Sequence, residues 1–97
     1  MSARAEVNDT SVPALARGVK LRFDKARDAW VLLAPERVLM PDQIAVEILK
    51  RCDGEADVAA IVSDLARTFE ADAAQVGRDV YGFLQDLADK GMLTLST

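Results

Sequence analysis

The sequence contains no histidine and a single cysteine, Cys52. Histidine is the side chain whose ordinary pKa suits proton transfer near neutrality, and it is the commonest metal ligand. Its absence rules out a Cys-His or Ser-His nucleophile pair and a Cys/His zinc site within this chain. One cysteine cannot form an internal disulfide, which fits a reducing compartment. No apolar run approaches the roughly 20 residues that span a bilayer. The start, Met1-Ser2-Ala3-Arg4-Ala5-Glu6, lacks the charged-then-apolar order of a signal peptide. A soluble cytoplasmic protein is the expectation. Glycine-rich phosphate loops, internal repeats and low-complexity tracts are missing too, and no carboxylate pair stands out as acid and base.

What is present is apolar material. Half of the 97 residues (51 %) are hydrophobic, enough for one domain with one modest core and no covalent staple. The net charge of -4 is unevenly spread. Residues 1–40 carry seven Lys/Arg against five Asp/Glu, and residues 41–97 carry five against eleven. An acidic C-terminal half is a poor surface for a polyanion, because phosphate neutralisation by Lys/Arg supplies most nucleic-acid affinity.

Residues 1–12 are polar and show no hydrophobic period, so they read as a flexible tail ahead of a domain over 13–97. Val19-Lys20-Leu21-Arg22-Phe23-Asp24 alternates strictly. It reads as a half-buried strand with Val19, Leu21 and Phe23 turned inward. Lys25–Asp28 is a connection of hairpin length. Ala29-Trp30-Val31-Leu32-Leu33 is apolar on both faces, as a central strand should be, with Trp30 as the main core aromatic. Pro35-Glu36 interrupts, and Arg37-Val38-Leu39-Met40 reads as a short third strand at a sheet edge. Helical patterns fill the rest. Asp42 caps a first helix with Ile44, Ile48 and Leu49 inward, and Cys52-Asp53-Gly54 closes it. Asp57 caps a second helix that buries Val58, Ile61, Val62 and Leu65. Asp72 with Gln75 resembles a capping box for a third, which buries Val76, Val80, Phe83, Leu84 and Leu87 and ends at Lys90-Gly91. Met92-Leu93-Thr94-Leu95 is either a small strand or a docked tail.

Three strands followed by three helices make an α+β layout: a three-stranded antiparallel sheet followed by a three-helix bundle. That is the parts list of a winged helix-turn-helix domain. Within it, several blocks resemble the PqqD family of pyrroloquinoline quinone biosynthesis. They are Pro13-Ala14-Leu15, Arg17-Gly18-Val19-Lys20-Leu21, Trp30-Val31-Leu32-Leu33-Ala34-Pro35-Glu36, Ile48-Leu49 with Cys52-Asp53-Gly54, and Phe83-Leu84 with Leu87. They keep their order from about residue 13 to 93.

The resemblance implies a winged helix-turn-helix domain that serves as a recognition element for ribosomally made, modified peptides. By that likeness the chain would be a chaperone without catalytic activity or cofactor. It would bind the precursor peptide PqqA and present it to PqqE, a radical S-adenosylmethionine enzyme that makes the Glu-Tyr cross-link. Some members are fused behind PqqC.

A peptide held by such a fold is expected to add as a strand to the free edge at Arg37, Val38, Leu39 and Met40. The third helix would form the opposite wall through Val76, Asp79, Val80, Phe83 and Asp86. One sequence does not decide which flank of that helix faces the strand, and the flank with Gly77, Tyr81 and Ala88 is the alternative.

Simpler roles stand beside these. Val38, Leu39 and Met40 fit ordinary core packing equally well. Cys52 fits a small buried hydrophobe, and Asp57, Asp64, Asp72, Asp79, Asp86 and Asp89 fit caps and solvated faces. Gly18 allows a turn, while Arg17 meets either a partner or an internal carboxylate.

Two rival functions frame the reading. One is an adaptor for a different modified peptide. The other is DNA binding, which the third helix disfavours by setting Asp79, Asp86 and Asp89 against Arg78 and Lys90.

Overall fold

A computed structural model describes residues 6–96. Eight elements follow in order: β1 (Val12–Leu15), β2 (Lys20–Asp24), β3 (Ala29–Ala34), β4 (Arg37–Leu39), α1 (Gln43–Lys50), α2 (Val58–Thr68), α3 (Ala73–Asp89) and β5 (Leu93–Ser96). The α+β class and the three helices match the expected layout, but there are five strands rather than three. β2, β3 and β4 form the anticipated antiparallel sheet in that order, and β1 pairs with β5 in a separate antiparallel ribbon.

Local chemistry explains the turns. Val19 N–H donates to Ala16 C=O across Arg17-Gly18, and Gly18 sits at φ +84°, which a type II turn demands of its third residue. The β2–β3 hairpin closes through Asp24, whose carboxylate accepts from the backbone N–H of Ala26 and of Arg27, with Asp28 at φ +53°. Pro35-Glu36 is the two-residue link of the β3–β4 hairpin, since Ala34 pairs directly with Arg37.

All three expected N-caps form. Asp42, Asp57 and Asp72 accept from the backbone N–H of Ala45, Ala60 and Ala74. Gln75 does not complete a capping box, because its side chain is engaged instead by Arg78 and Asp79. At the end of α3, Met92 N–H reaches Leu87 C=O and Gly91 N–H reaches Ala88 C=O, with Gly91 at φ +74°. This is a Schellman closure. The end of α2 closes the same way, Ala71 to Ala66 and Glu70 to Arg67, with Glu70 rather than glycine in the left-handed position at φ +50°.

The core joins β3 to the helices through Leu32, Ile48, Ile61, Leu65, Val80, Leu84 and Leu87, all under 5 % exposed. Burial of such side chains contributes about 1.5–3 kcal/mol each. Trp30 is not among them. It is half-buried near the hairpin tip, edge-to-face with Phe23 at 5.6 Å, and Lys50 Nζ lies 4.8 Å from its ring centre. Phe23 itself is 46 % exposed. Alternation places both rings on the helix side of the sheet near the hairpin tip, where the Lys50 side chain at the end of α1 lies over Trp30.

The expected tail over 1–12 falls partly outside the described residues, which begin at 6. From Val7 onward the chain is engaged. Val7 N–H donates to Gln85 Oε1, and the carbonyls of Ser11 and Asp9 accept from Val58 and Ala59 N–H. Those two amides, with Ala60 capped by Asp57, are the donors a helix start leaves unsatisfied. Ser11 is 2 % exposed in consequence. Among the described residues, no helix is long and apolar enough to cross a membrane.

Candidate functional site

Among the described residues β4 pairs only with β3, so one side of its backbone has no strand neighbour there. The register Leu32–Leu39, Leu33–Val38 and Ala34–Arg37 settles which side chains face the helices. Leu39 shares the helix-facing side with Leu32. Val38 lies on the opposite side with Leu33 and is 52 % exposed.

Between this strand, the start of α1 and one flank of α3 runs an open groove of about 500 Å³. Leu32, Leu39, Ile48 and Leu87 form its apolar floor, Met40 and Ile44 one rim, and Asp79 and Phe83 the other. Met40 and Ile44 are 56 % and 50 % exposed.

The flank left open by the sequence is thereby assigned. Asp79, Phe83 and Leu87 border the strand side, whereas Gly77 and Tyr81 line a different surface shared with α2. A Cβ on Gly77 would lie 3.9 Å from Val62 Cγ1 of α2.

Of the residues singled out from the sequence, the structure brings together Leu39, Met40, Asp79 and Phe83 in this groove. Arg37 and Val38 lie on the edge strand but outside the groove lining. Val76 lines an adjoining pocket instead. Val80 has no exposed surface and belongs to the core, so it offers nothing to a bound molecule directly. Asp86 is exposed, pairs with Lys90 at 2.9 Å and does not line the groove.

Sequence reasoning missed the contribution of α1. Pro41, Asp42, Ile44 and Ala45 all line the groove, and Ile44 had been placed in the core stripe of α1. The helix instead buries Ala45, Val46, Ile48 and Leu49.

The charges lining the groove are both acidic. Asp42 is committed to its cap, while Asp79 accepts one hydrogen bond from the Gln75 amide at 3.2 Å. Beyond the groove, Arg51 ties α1 to α2 by bonding Glu47 and Asp64, at 3.0 and 2.6 Å. Bonds from Arg51 hold both carboxyls below their ordinary range, and those to Asp64 and Glu47 raise the guanidinium further.

Cys52 is buried, with Sγ 3.3 Å from Ile48 C=O, and burial pushes its thiol up to about 12. A thiol held protonated is not a nucleophile. The geometry therefore suits non-covalent capture: an unpaired strand edge, an apolar floor and an acidic rim.

The comparisons with known proteins agree with this architecture. The chain is 60 % identical over 91 residues to a protein named "PqqA binding protein" from Rhodopseudomonas palustris strain TIE-1, covering 94 % of this chain and 89 % of that one. A protein of the same name from Xanthomonas oryzae pv. oryzae is 48 % identical, over 86 % and 90 % of the two chains.

Among solved structures, the solution structure of the PqqD truncation of Methylobacterium extorquens PqqCD is described as a functional, stand-alone recognition element for ribosomally synthesised, modified peptides. It superposes with a TM-score of 0.77 at 43 % identity, covering 91 % and 94 %. The crystal structure of PqqD from Xanthomonas campestris gives 0.56 at 45 % identity, covering 88 % and 94 %. The family model for coenzyme PQQ synthesis protein D matches residues 29–93, a span running from the central strand through the groove to β5, and the chain belongs to the PqqD family.

Proposed function

We propose that this protein is a non-catalytic peptide chaperone of pyrroloquinoline quinone biosynthesis, working in the cytoplasm. It binds the precursor peptide PqqA as an added strand on β4 and presents it to the radical S-adenosylmethionine enzyme PqqE. The observation that carries the reading is the unpaired β4 edge facing Phe83 across an apolar floor, in a chain 60 % identical to a relative named for binding PqqA. Main-chain hydrogen bonds along β4 would fix register, and the groove would select side chains. Chemistry would reside in the partner, which accords with a chain lacking histidine and a reactive thiol.

Titrating the ¹⁵N-labelled protein with PqqA tests the site. Amide shifts are expected to move at residues 37–40 and along 76–87. Changes confined to the α2 side of the molecule would refute the groove as the binding site. Calorimetry with PqqA and with an unrelated leader peptide distinguishes a dedicated chaperone from an adaptor of another pathway. Binding of PqqE to the preformed complex, compared with either component alone, tests presentation.

A further inference from the structure

A second concavity adjoins the groove. It opens between the middle of α1, the end of α2 and the start of α3, has a volume of about 160 Å³, and shares Ile44, Ile48 and Asp79 with the groove. Apart from Glu47, Gln75 and Asp79 its lining is apolar, with Leu65 and Val80 beneath and Phe69 and Val76 at the sides. Phe69 is 42 % exposed although it is a large aromatic, and Ile44 beside it is 50 % exposed. The position of Phe69 is fixed by the chain, because it is the residue at which α2 closes through the left-handed Glu70. An apolar cavity of about 150 Å³ accepts a benzene-sized molecule, so this pocket matches one branched aliphatic or phenyl side chain.

The charges at its mouth are not equivalent. Glu47 is bonded by both Lys50 and Arg51. Asp79 stands where the two concavities meet and makes no ion pair among the described residues, its hydrogen-bond donor being the neutral Gln75 amide. Among the described residues no lysine or arginine lines either concavity. An apolar pocket beside an unneutralised carboxylate complements an apolar side chain with a cation close by.

We propose that the pocket bounded by Ile44, Phe69 and Val76 is the anchor subsite for one bulky apolar side chain of the bound peptide, and that Asp79 pairs with a lysine or arginine next to that anchor. The proposal rests on the groove being the peptide site, and it defines which peptide segment the site takes. The occupant is the same peptide, because the two concavities share a wall and form one continuous path along α3.

Leu87 to Asp79 spans eight positions, about 12 Å of helix, which about four extended residues cover. Gln75 and Val76 lie one turn further on, about 5 Å. The peptide would thus lay some four residues along the groove, set its cation at Asp79 and place its anchor one or two residues beyond.

The test is calorimetry on the full chain with synthetic PqqA, using two protein variants and two peptide scans. In the scans each Lys/Arg becomes Gln and each bulky apolar residue becomes Ala. Val76→Phe, which fills the pocket, is expected to weaken binding at least tenfold, and one apolar-to-Ala peptide should lose as much and be indifferent to Val76→Phe. Asp79→Asn is expected to weaken binding three- to tenfold, with a non-additive partner among the Lys/Arg-to-Gln peptides.

Absence of either coupling overturns the proposal. Should that happen while Met40→Asp, on the groove rim, still abolishes binding, the groove reading survives alone. A parent chain that does not bind PqqA removes both. Asp79→Asn and the peptide scans alter only an exposed side chain or the ligand, so a folding defect in Val76→Phe leaves the outcome decidable.

Discussion

The two flanks of α3 meet different neighbours. On the Gly77–Tyr81 side the helix packs against α2, where small residues such as Ala66, Ala73 and Ala74 line an open surface. On the Asp79–Phe83–Leu87 side it faces β4 and the start of α1 across an open groove. The difference lies in what each neighbour supplies. α2 is eleven residues long and runs beside α3, while β4 has three residues and stops before Pro41. Both flanks carry an open concavity, about 520 Å³ toward α2 and about 500 Å³ toward β4, but the first is lined by small and polar residues such as Ala66, Ser63 and Arg78 and the second by bulky apolar ones such as Leu39, Ile48 and Phe83.

That contrast can be broken or sharpened. The largest effect is expected at Leu84, fully buried on the seam between the flanks. Leu84→Ala should cost about 2–5 kcal/mol in chemical denaturation and loosen both sides together. A loss well under 1 kcal/mol would mean that α3 is not seated as described.

Next comes Phe83→Ala, expected to weaken PqqA binding on the order of tenfold, or about 1.4 kcal/mol. Tyr81→Ala on the α2-facing flank should leave calorimetric affinity within about twofold. Equal effects would erase the distinction between the flanks.

Glu70→Gly should stabilise the protein by roughly 0.5–1 kcal/mol, since glycine enters the left-handed region without steric cost. A lowered melting temperature would contradict the observed closure of α2.

The smallest effect concerns acid. Glu47 and Asp64 have carboxyl pKa values lowered chiefly by hydrogen bonds from Arg51. A lowered folded-state pKa gives stability that is complete above the unfolded value, near 4. It is lost as pH falls through that value toward the folded one. Arg51→Met should flatten this part of the stability–pH profile, measured by denaturation at successive pH values.

The parts legible in the sequence are those whose causes are local. Asp42, Asp57 and Asp72 cap within three residues of themselves, and the cap is chemistry a sequence displays. Strict alternation placed β2, and the proline-bounded run placed β4 at an edge. Failures trace to distant or missing partners. β1 and β5 join Pro13 to Leu95, a pairing no window can see. Phe23 and Trp30 follow the inward pattern, yet they sit at the hairpin tip, where Trp30 meets the Lys50 side chain rather than the core. Ile44 has the period of a core residue, and only the short β4 opposite leaves it at the groove rim. The turn at Glu70 carries no glycine to announce it. Leu39, Met40, Asp79 and Phe83 could be picked out as candidates because a strand edge and a helix flank are both periodic objects, although the sequence left the choice of flank open. The adjoining pocket was not found, because three helix segments meet there without any common pattern.

The β1–β5 ribbon stands apart from the groove. Its register sets Val12 beside Ser96, while the chain ahead of Val12 runs back over the helices, Val7 N–H reaching Gln85 of α3. Neither strand contributes a residue to the groove or to the pocket beside it. A ligand lying in the groove would therefore leave the β1–β5 ribbon untouched.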